Sequence, residues 1–260
     1  KNRMQAGISA CYEIYFCTAN RFLNRAREAL GLSARVIGTG FSIRRDLLEA
    51  LGGFPCCTLA EDAELYAACL THGVRIGYCE SAMFYDEQPT TFKQSWNQRM
   101  RWSKGFYQVM FRYGRELIAM MFKKREMFVS CYDMFMTLAP ATLLSIGCIL
   151  LNLIFLAYGA TDVHMLRRIL PGTLGSIAFA GVNFYLLMFS IGFITLVTEW
   201  NKILAPANKK IKSLFTFPLF MITYVPISLV ALVKKVEWKP IAHSISKSVE
   251  EIELQQQANK

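Results

Sequence analysis

Three long apolar stretches constrain what this chain can fold into. Residues 127–158 contain one charged side chain, Asp133, and residues 172–198 and 213–233 contain none. A helix of about 20 apolar residues is long enough to cross the hydrocarbon core of a bilayer. Core helices of soluble proteins rarely stay uncharged over such lengths. The pattern favours three membrane segments over three buried helices of a large soluble core.

The charged residues lie mostly outside these stretches. The chain has 260 residues, of which 29 are Lys or Arg and 19 are Asp or Glu, so its formal net charge is +10. Apolar residues make up 53% and charged residues 18%. Soluble domains average about 45–50% apolar and about 25% charged. This composition argues against a disordered chain and against a DNA-binding domain. We assign the basic charge to a face that meets anionic lipid and phosphate, and we expect no nucleic-acid partner.

The cysteines and histidines show no metal-binding pattern. Eight cysteines occur without a Cys-x-x-Cys pair, and the three histidines are isolated. Zinc sites need closely spaced ligands. We therefore interpret the cysteines as small buried hydrophobic residues in a reducing compartment and predict no metal site in this chain.

Residues 1–102 alternate between helical and β-branched patterns. Glycines follow several predicted helices, as is typical of helix C-termini. The β-branched segments 34–43 and 74–85 predict short strands. The alternation favours an α/β domain. The predicted helices cover residues 4–30, 44–51, 61–72 and a segment that begins at residue 91.

Glu61 and Asp62 form an acidic pair at a predicted helix start. Their structural interpretation is that Thr58 and Glu61 form a capping box while Asp62 complements the helix dipole. Their functional interpretation is a general base, because a carboxylate at a helix start can accept a proton from a substrate hydroxyl. The dipeptide alone does not decide between the two.

Gly38, Thr39 and Gly40 form a turn of small residues. Such residues let the backbone approach a ligand closely, and their N–H groups can bind oxygen atoms. A tight turn without a function has the same composition, so both interpretations stay open.

Gln98, Arg101 and Trp102 are spaced i, i+3 and i+4, which places them on one face of a helix. This face suits a sugar diphosphate, since Arg binds phosphate in a fork and an indole can stack on a sugar ring. The alternative is a helix that lies on the membrane. Residues 103–126 support that alternative, because apolar and basic side chains alternate there as in an interfacial helix.

These motifs, in this order and followed by apolar stretches, resemble those of the membrane-integrated processive family 2 glycosyltransferases. That family includes cellulose, chitin, hyaluronan and poly-N-acetylglucosamine synthases, and the pattern looks most like the bacterial N-acetylglucosaminyl or glucosyl synthases. In residues 1–126 the resemblance rests on these motifs. In the apolar stretches it rests on where they stand along the chain. It implies a partial GT-A-like catalytic domain of the α/β class, followed by an interfacial helix and transmembrane helices.

The resemblance also implies roles for individual residues. Asp62 matches the catalytic base that acts on the acceptor hydroxyl, although Ala60 stands where many members have Thr. The implied reaction is an inverting displacement, in which the hydroxyl attacks the anomeric carbon and UDP leaves. The residues that match acceptor- and donor-binding positions are Gly38, Thr39, Gly40, Glu61, Gln98, Arg101 and Trp102.

One departure from the family is large. The family's catalytic domain begins with a nucleotide-binding half and an Asp-x-Asp motif for Mg²⁺ or Mn²⁺, whereas no Asp precedes Asp46 here. We therefore expect the metal ligands to lie upstream of this sequence. We also expect the chain to be the C-terminal part of a longer enzyme and to be inactive in isolation.

The loop charges predict how the chain crosses the membrane. Many basic residues precede residue 127 and several lysines lie within 199–212, while residues 159–171 carry two arginines. By the positive-inside rule, the catalytic part is cytosolic and residues 159–171 lie outside. The third stretch has lysines on both flanks and contains Pro218 and Pro226, so a re-entrant or kinked segment competes with a plain span. The sequence is compatible with two or with three crossings of the membrane.

Trp238 and His243 follow the third stretch. An interfacial Trp anchor is one interpretation. The resemblance suggests instead a gating loop over the active site, with His243 as its basic residue. Within the apolar stretches, Asp133, Asn152 and Asn183 are candidates either for lining a product channel or for bonding between helices.

The resemblance thus implies a hexosyltransferase of the plasma membrane that moves a sugar from a UDP-sugar to a growing glycan. Transfer of one sugar to a lipid carrier and a non-catalytic membrane scaffold are the alternatives. The sugar is not identified. The predicted parts are a catalytic part (1–102), an interfacial helix (103–126), a transmembrane region (127–236) and a cytosolic tail (237–260).

Overall fold

The computed structural model describes residues 7–38, 40–54, 56–82, 86–138, 140–203, 205–238 and 251. These residues form ten α-helices, with a π-helical segment at Ala19–Asn24 and a 3₁₀ turn at Arg125–Met127. In chain order the α-helices are α1 Gly7–Thr18, α2 Arg25–Ala29, α3 Arg45–Ala50, α4 Glu61–Thr71, α5 Phe92–Lys123, α6 Phe128–Leu138, α7 Pro140–Gly159, α8 Val163–Thr198, α9 Ala207–Ile222 and α10 Tyr224–Val233.

The prediction of an α/β, GT-A-like domain is wrong, because the described residues contain no strand. The segments expected as strands do meet, through a hydrogen bond of 2.8 Å from Ala34 N to Ile76 O. Side chains take the place of further ladder bonds: Ile76 N donates to Ser33 Oγ at 3.0 Å. Asn24 likewise bonds both the N–H and the carbonyl of Arg35. Backbone groups satisfied by side chains do not propagate a sheet.

A central core joins α4, α5 and α6. Ala67 of α4, Leu117 of α5 and Met134 of α6 are all buried in one cluster. Small alanines on α4 let the long helix α5 approach closely. Burial of this apolar surface stabilises the unit that carries both predicted motifs.

The first apolar stretch does not form one long helix. Its first part is α6, whose Cys131 and Met134 are buried against α4 and α5. The stretch then continues as α7, of which Ile146–Gly159 is apolar but short for a span. Asp133 lies in α6 and forms an ion pair of 2.9 Å with Arg27.

Among the described residues, two helical segments are long and apolar enough to cross a membrane. One is α8, which continues through Pro171 and keeps most of its apolar side chains exposed. The other is Ala207–Val233, which comprises α9 and α10. Thr223 separates these two helices, as expected because Pro226 lacks an N–H and its ring clashes with the carbonyl of Ile222. The third stretch is therefore interrupted at Thr223, and the choice between a re-entrant, a kinked and a plain span stays a prediction.

Helix α1 packs against both α8 and α9. The Thr18 and Thr195 hydroxyls are 2.8 Å apart, and Cys11 Sγ lies 3.6 Å from Thr216 Oγ1. Helix α10, in contrast, packs along α5. Ile227 is buried there, and Tyr107 Oη donates to Ser228 O at 3.3 Å. Residues of α1, α9 and α10 thus contact the part of α5 that carries Gln98, Arg101 and Trp102.

Candidate functional site

A cavity of about 1030 Å³ lies where α1, α4, α5, α8 and α9 meet. Trp238, which is 60% exposed, reaches it from the segment after α10. Gly40 does not line it, and Thr39 and His243 lie outside the described residues. The predicted residues that the cavity brings together are Gly38, Glu61, Asp62, Gln98, Arg101, Trp102 and Trp238.

The start of α4 is capped differently from the prediction. Ala60 is the N-cap residue, no side chain caps the helix, and Thr58 Oγ1 is buried without a described partner, so the predicted capping box does not form. Glu64, fully buried, accepts hydrogen bonds from Cys57 N at 2.8 Å and Thr58 N at 2.7 Å. Glu64 therefore holds the loop before α4, and Glu61 and Asp62 face the cavity instead.

Asp62 lies in an environment that favours its protonated form. Burial raises the pKa of its carboxyl group, and the neighbouring Glu61 adds to this effect. The Ala63 N–H, at 2.8 Å from Oδ1, and the charges of Arg35 and Arg101 act in the opposite direction. A carboxylate with a raised pKa is a better proton acceptor, as a general base requires.

Gly38 passes close to this carboxylate. A Cβ placed on residue 38 would lie 3.7 Å from Asp62 Oδ2, and Gly38 has a φ of +74°. Residues with a side chain rarely adopt that conformation. The glycine therefore lets the backbone border the carboxylate and leaves the space above it open.

Helix α5 is held against the loop that precedes the acidic pair. Arg101 Nη1 donates to Leu59 O at 2.8 Å, and Leu59 N donates to Gln108 Oε1 at 2.9 Å. Gly105 lies between them on the same face of α5, in contact with Ala60. Arg101 also approaches Glu61, with 3.9 Å between Nη1 and Oε2. These contacts connect the two sequence motifs, which lie far apart along the chain.

Gln98 and Trp102 present different chemistry to the cavity. Gln98 Oε1 is buried and has no hydrogen-bond partner among the described residues. It is therefore an acceptor suited to a substrate hydroxyl. Trp102 packs edge-on against Tyr12 and Phe16, with ring centroids 6.1 and 6.4 Å away. Its indole is thus fixed by α1 on one side while it lines the cavity on another.

Arg35 is a cavity residue that the sequence analysis missed. Arg35 N donates to Asn24 Oδ1 at 3.0 Å, and Asn24 Nδ2 donates to Arg35 O at 3.1 Å. This pair of bonds fixes the backbone of Arg35. In the part of the chain that is described, no carboxylate forms an ion pair with its guanidinium, which faces the cavity. The one sequence signal for Arg35 is its position five residues after the predicted end of the first helix at residue 30.

The polar residues proposed to line a product channel do not line this cavity. Asn152 and Asn183 donate to carbonyls of their own helices, Cys148 O and Phe179 O, at 2.8 Å each. Asp133 is engaged by Arg27, as described above. Within the described residues, no group of three or more His, Cys, Asp or Glu side chains could hold a metal ion. The residues present therefore do not fit the divalent metal that the family resemblance implies.

Comparison with known families decides the class of this protein. Residues 8–232 match the family model of glycosyl transferase family group 2. The chain belongs to this family.

Two curated relatives illustrate the similarity. The probable glycosyltransferase YdaM of Bacillus subtilis (strain 168) is 34% identical over 147 residues, which is 56% of this chain and 34% of the relative. The beta-monoglucosyldiacylglycerol synthase of Synechocystis sp. is 29% identical over 94 residues, or 36% of this chain and 20% of the relative. The chain thus spans about a third or less of these relatives. No solved structure matches the chain significantly.

Proposed function

We propose that this family 2 glycosyltransferase moves a sugar from a UDP-sugar to an acceptor hydroxyl, with Asp62 as the general base. One observation carries the proposal: Asp62 shares a single cavity with Gln98, Arg101 and Trp102. The base accepts the proton of the attacking hydroxyl, while Arg101 stabilises the negative charge of the departing diphosphate. Attack from the face opposite the leaving group inverts the anomeric centre.

The remaining cavity residues have supporting roles in this proposal. Glu61 and Gln98 accept hydrogen bonds from substrate hydroxyls, and Trp102 stacks on an acceptor sugar. Gly38 borders the acceptor, and Trp238 reaches it from the segment after α10. A Mg²⁺ or Mn²⁺ ion, as the family resemblance implies, would stabilise the charge of the donor diphosphate, and the described residues would not hold it.

We also propose that the protein is bound to the plasma membrane. Helix α8 exposes Leu174, Phe179, Leu186 and other apolar side chains along its length. An apolar surface of this size is rare on a soluble monomer and suits contact with lipid. UDP-sugars are cytosolic, so the catalytic part lies on the cytosolic side.

The acceptor is a growing glycan in this proposal, and a lipid is the second candidate. Helices α8 and α9 supply an apolar wall of the cavity, which favours a lipid acceptor. The wall consists of Met188, Ile191, Phe217 and Met221. The name of the Synechocystis relative refers to a glucosyldiacylglycerol, which agrees with such an acceptor. Product analysis distinguishes the two, because a glycolipid extracts into chloroform and a polysaccharide does not.

The test uses the natural full-length enzyme in membrane vesicles with UDP-[¹⁴C]glucose or UDP-N-[¹⁴C]acetylglucosamine. Asp62→Asn is expected to lower transfer by about 10²- to 10⁴-fold, the usual contribution of a general base. Glu116→Gln, on the exposed face of α5, is the matched control and should retain activity. Transfer by Asp62→Asn at the wild-type rate would contradict the proposal.

A further inference from the structure

Arg99 is the largest fully buried side chain in the described residues. It stands between Gln98 and Arg101 in sequence but does not line the cavity. Its Nη1 donates to Phe220 O at 3.0 Å and to Thr223 Oγ1 at 2.7 Å. Its Nε donates to Ser95 O at 3.4 Å. The proposed function gives no task to this residue.

No carboxylate among the described residues contacts the Arg99 guanidinium. Its positive charge instead faces the rings of Phe220 and Tyr224, whose centroids are 4.2 and 4.9 Å from Cζ. Nη2 is buried and lacks a described partner. Burying a guanidinium without a counter-ion is costly, so a neutral residue would suit mere packing better.

The contacts of Arg99 lie at the interruption between α9 and α10. The Phe220 carbonyl accepts from Arg99 and also from Thr223 Oγ1, at 2.6 Å. Arg99 therefore donates to a backbone carbonyl close to Thr223, the one residue at which the third apolar stretch is not helical. Phe217 and Met221, on either side of Phe220, line the cavity.

A series of ring contacts leads from this point to the site. The centroid of Phe220 is 5.1 Å from that of Tyr12, and the Tyr12 centroid is 6.1 Å from that of Trp102. The Tyr12 hydroxyl is 3.1 Å from Ser95 Oγ, one turn before Arg99 on α5. The rings meet edge-on, an arrangement that aromatic pairs prefer and that stabilises their packing.

We propose that Arg99 is a positioning residue, which fixes the Trp102 indole and the α9 wall of the cavity by holding the α9–α10 interruption against α5. The inference rests on the proposed function, in which Trp102 holds the acceptor. Without Arg99, the acceptor hydroxyl is placed poorly beside Asp62, and water competes with it for the donor sugar. UDP is then still released, but less of the sugar enters product.

The readout is the ratio of sugar incorporated into product to UDP released, measured with the natural full-length enzyme and either UDP-glucose or UDP-N-acetylglucosamine. Lower stability alone reduces the amount of active enzyme and leaves this ratio unchanged. Arg99→Leu is expected to lower the ratio by about fivefold, and Arg99→Lys by less, because lysine keeps the charge but not the fork. Arg115→Leu, an exposed arginine of the same helix, is the control with a wild-type ratio.

Two further variants carry the test if Arg99→Leu does not accumulate. Thr223→Val removes one acceptor of Arg99, and Phe220→Leu removes the ring between Arg99 and Tyr12; each should lower the ratio. Unchanged ratios in all Arg99, Thr223 and Phe220 variants, with activity still dependent on Asp62, overturn this inference alone. Absence of UDP release from the wild type, or wild-type activity of Asp62→Asn, overturns the proposed function and this inference with it.

Discussion

Gly105 of α5 lies so close to Ala60 that a Cβ on residue 105 would stand 2.5 Å from the Ala60 Cβ and 2.6 Å from its backbone N. Atoms at these distances overlap, and the backbone around Ala60 cannot swing aside as a flexible side chain could. Ala60 is the N-cap residue of α4, directly before Glu61 and Asp62. The separation between α5 and the proposed base is therefore set by a glycine.

We expect Gly105→Ala to destabilise the protein by about 1–3 kcal/mol, the usual cost of overpacking. Without a clash, alanine would stabilise the helix by about 1 kcal/mol relative to glycine. A loss of stability in Gly105→Ala therefore indicates the clash with Ala60. Transfer should fall as well, because Arg101 moves away from the Leu59 carbonyl. Gly175→Ala, at a helical position with open space around it, is the control. Thermal unfolding in detergent measures both variants, and equal melting temperatures would contradict the expectation.

Arg35 supplies a prediction about pH dependence. Its charge opposes the effect of burial on the pKa of Asp62, so Arg35→Gln should raise that pKa further. The base must be deprotonated, and activity falls as the pH drops through its pKa. The acidic limb of the kcat/KM profile should therefore move to higher pH. Arg45→Gln, which removes an exposed arginine paired with Glu49, should leave the limb in place.

Helix ends were predictable from sequence where a local signal fixes them. Helix α4 ends at Thr71, within one residue of the prediction, because Gly73 adopts a φ of +71°. Its start at Glu61 also matches, although the capping box that predicted it does not form. Helix α3 ends before Gly52 and Gly53, both of which have positive φ. In such places the conformational preference of one or two residues decides the outcome.

Other features of the fold and of the candidate site depend on contacts between residues that are distant in sequence. The β-branched pattern of residues 34–43 indicated a strand, but the amide of Asn24 and the hydroxyl of Ser33 supply bonds that a neighbouring strand would otherwise make. In the site, the spacing placed Gln98, Arg101 and Trp102 on one face. It could not show that Gly105 and Gln108 extend that face onto Leu59 and Ala60.

Asp62→Asn should increase stability at neutral pH while it lowers activity. The folded-state pKa of Asp62 is raised above its unfolded value, so its contribution to stability is full below the unfolded pKa and is lost as the pH rises through the folded pKa. Asparagine avoids this loss because it carries no charge to bury. The melting temperature of the variant should exceed that of the wild type at pH 8, and the difference should shrink in acid.

Asp46→Asn is the matched comparison for that experiment. The hydrogen bond from Arg44 lowers the pKa of Asp46, so its ionised form is the favoured one in the folded state. This variant should show no gain in melting temperature at pH 8. A gain in Asp46→Asn equal to that in Asp62→Asn would point to a general effect of lowering negative charge.

Glu64 provides the last prediction, because its fully buried carboxylate accepts from Cys57 N and Thr58 N and lies 3.3 Å from Arg112 Nη1. In Glu64→Gln the amide can keep only some of these bonds, so we expect a loss of about 1–3 kcal/mol in the free energy of unfolding. Glu49→Gln, which breaks an exposed pair, should cost about 0.5 kcal/mol or less. Transfer should fall in Glu64→Gln alone, since the loop that it holds places Asp62. If both variants unfold alike in urea and keep full activity, Glu64 does not hold the loop.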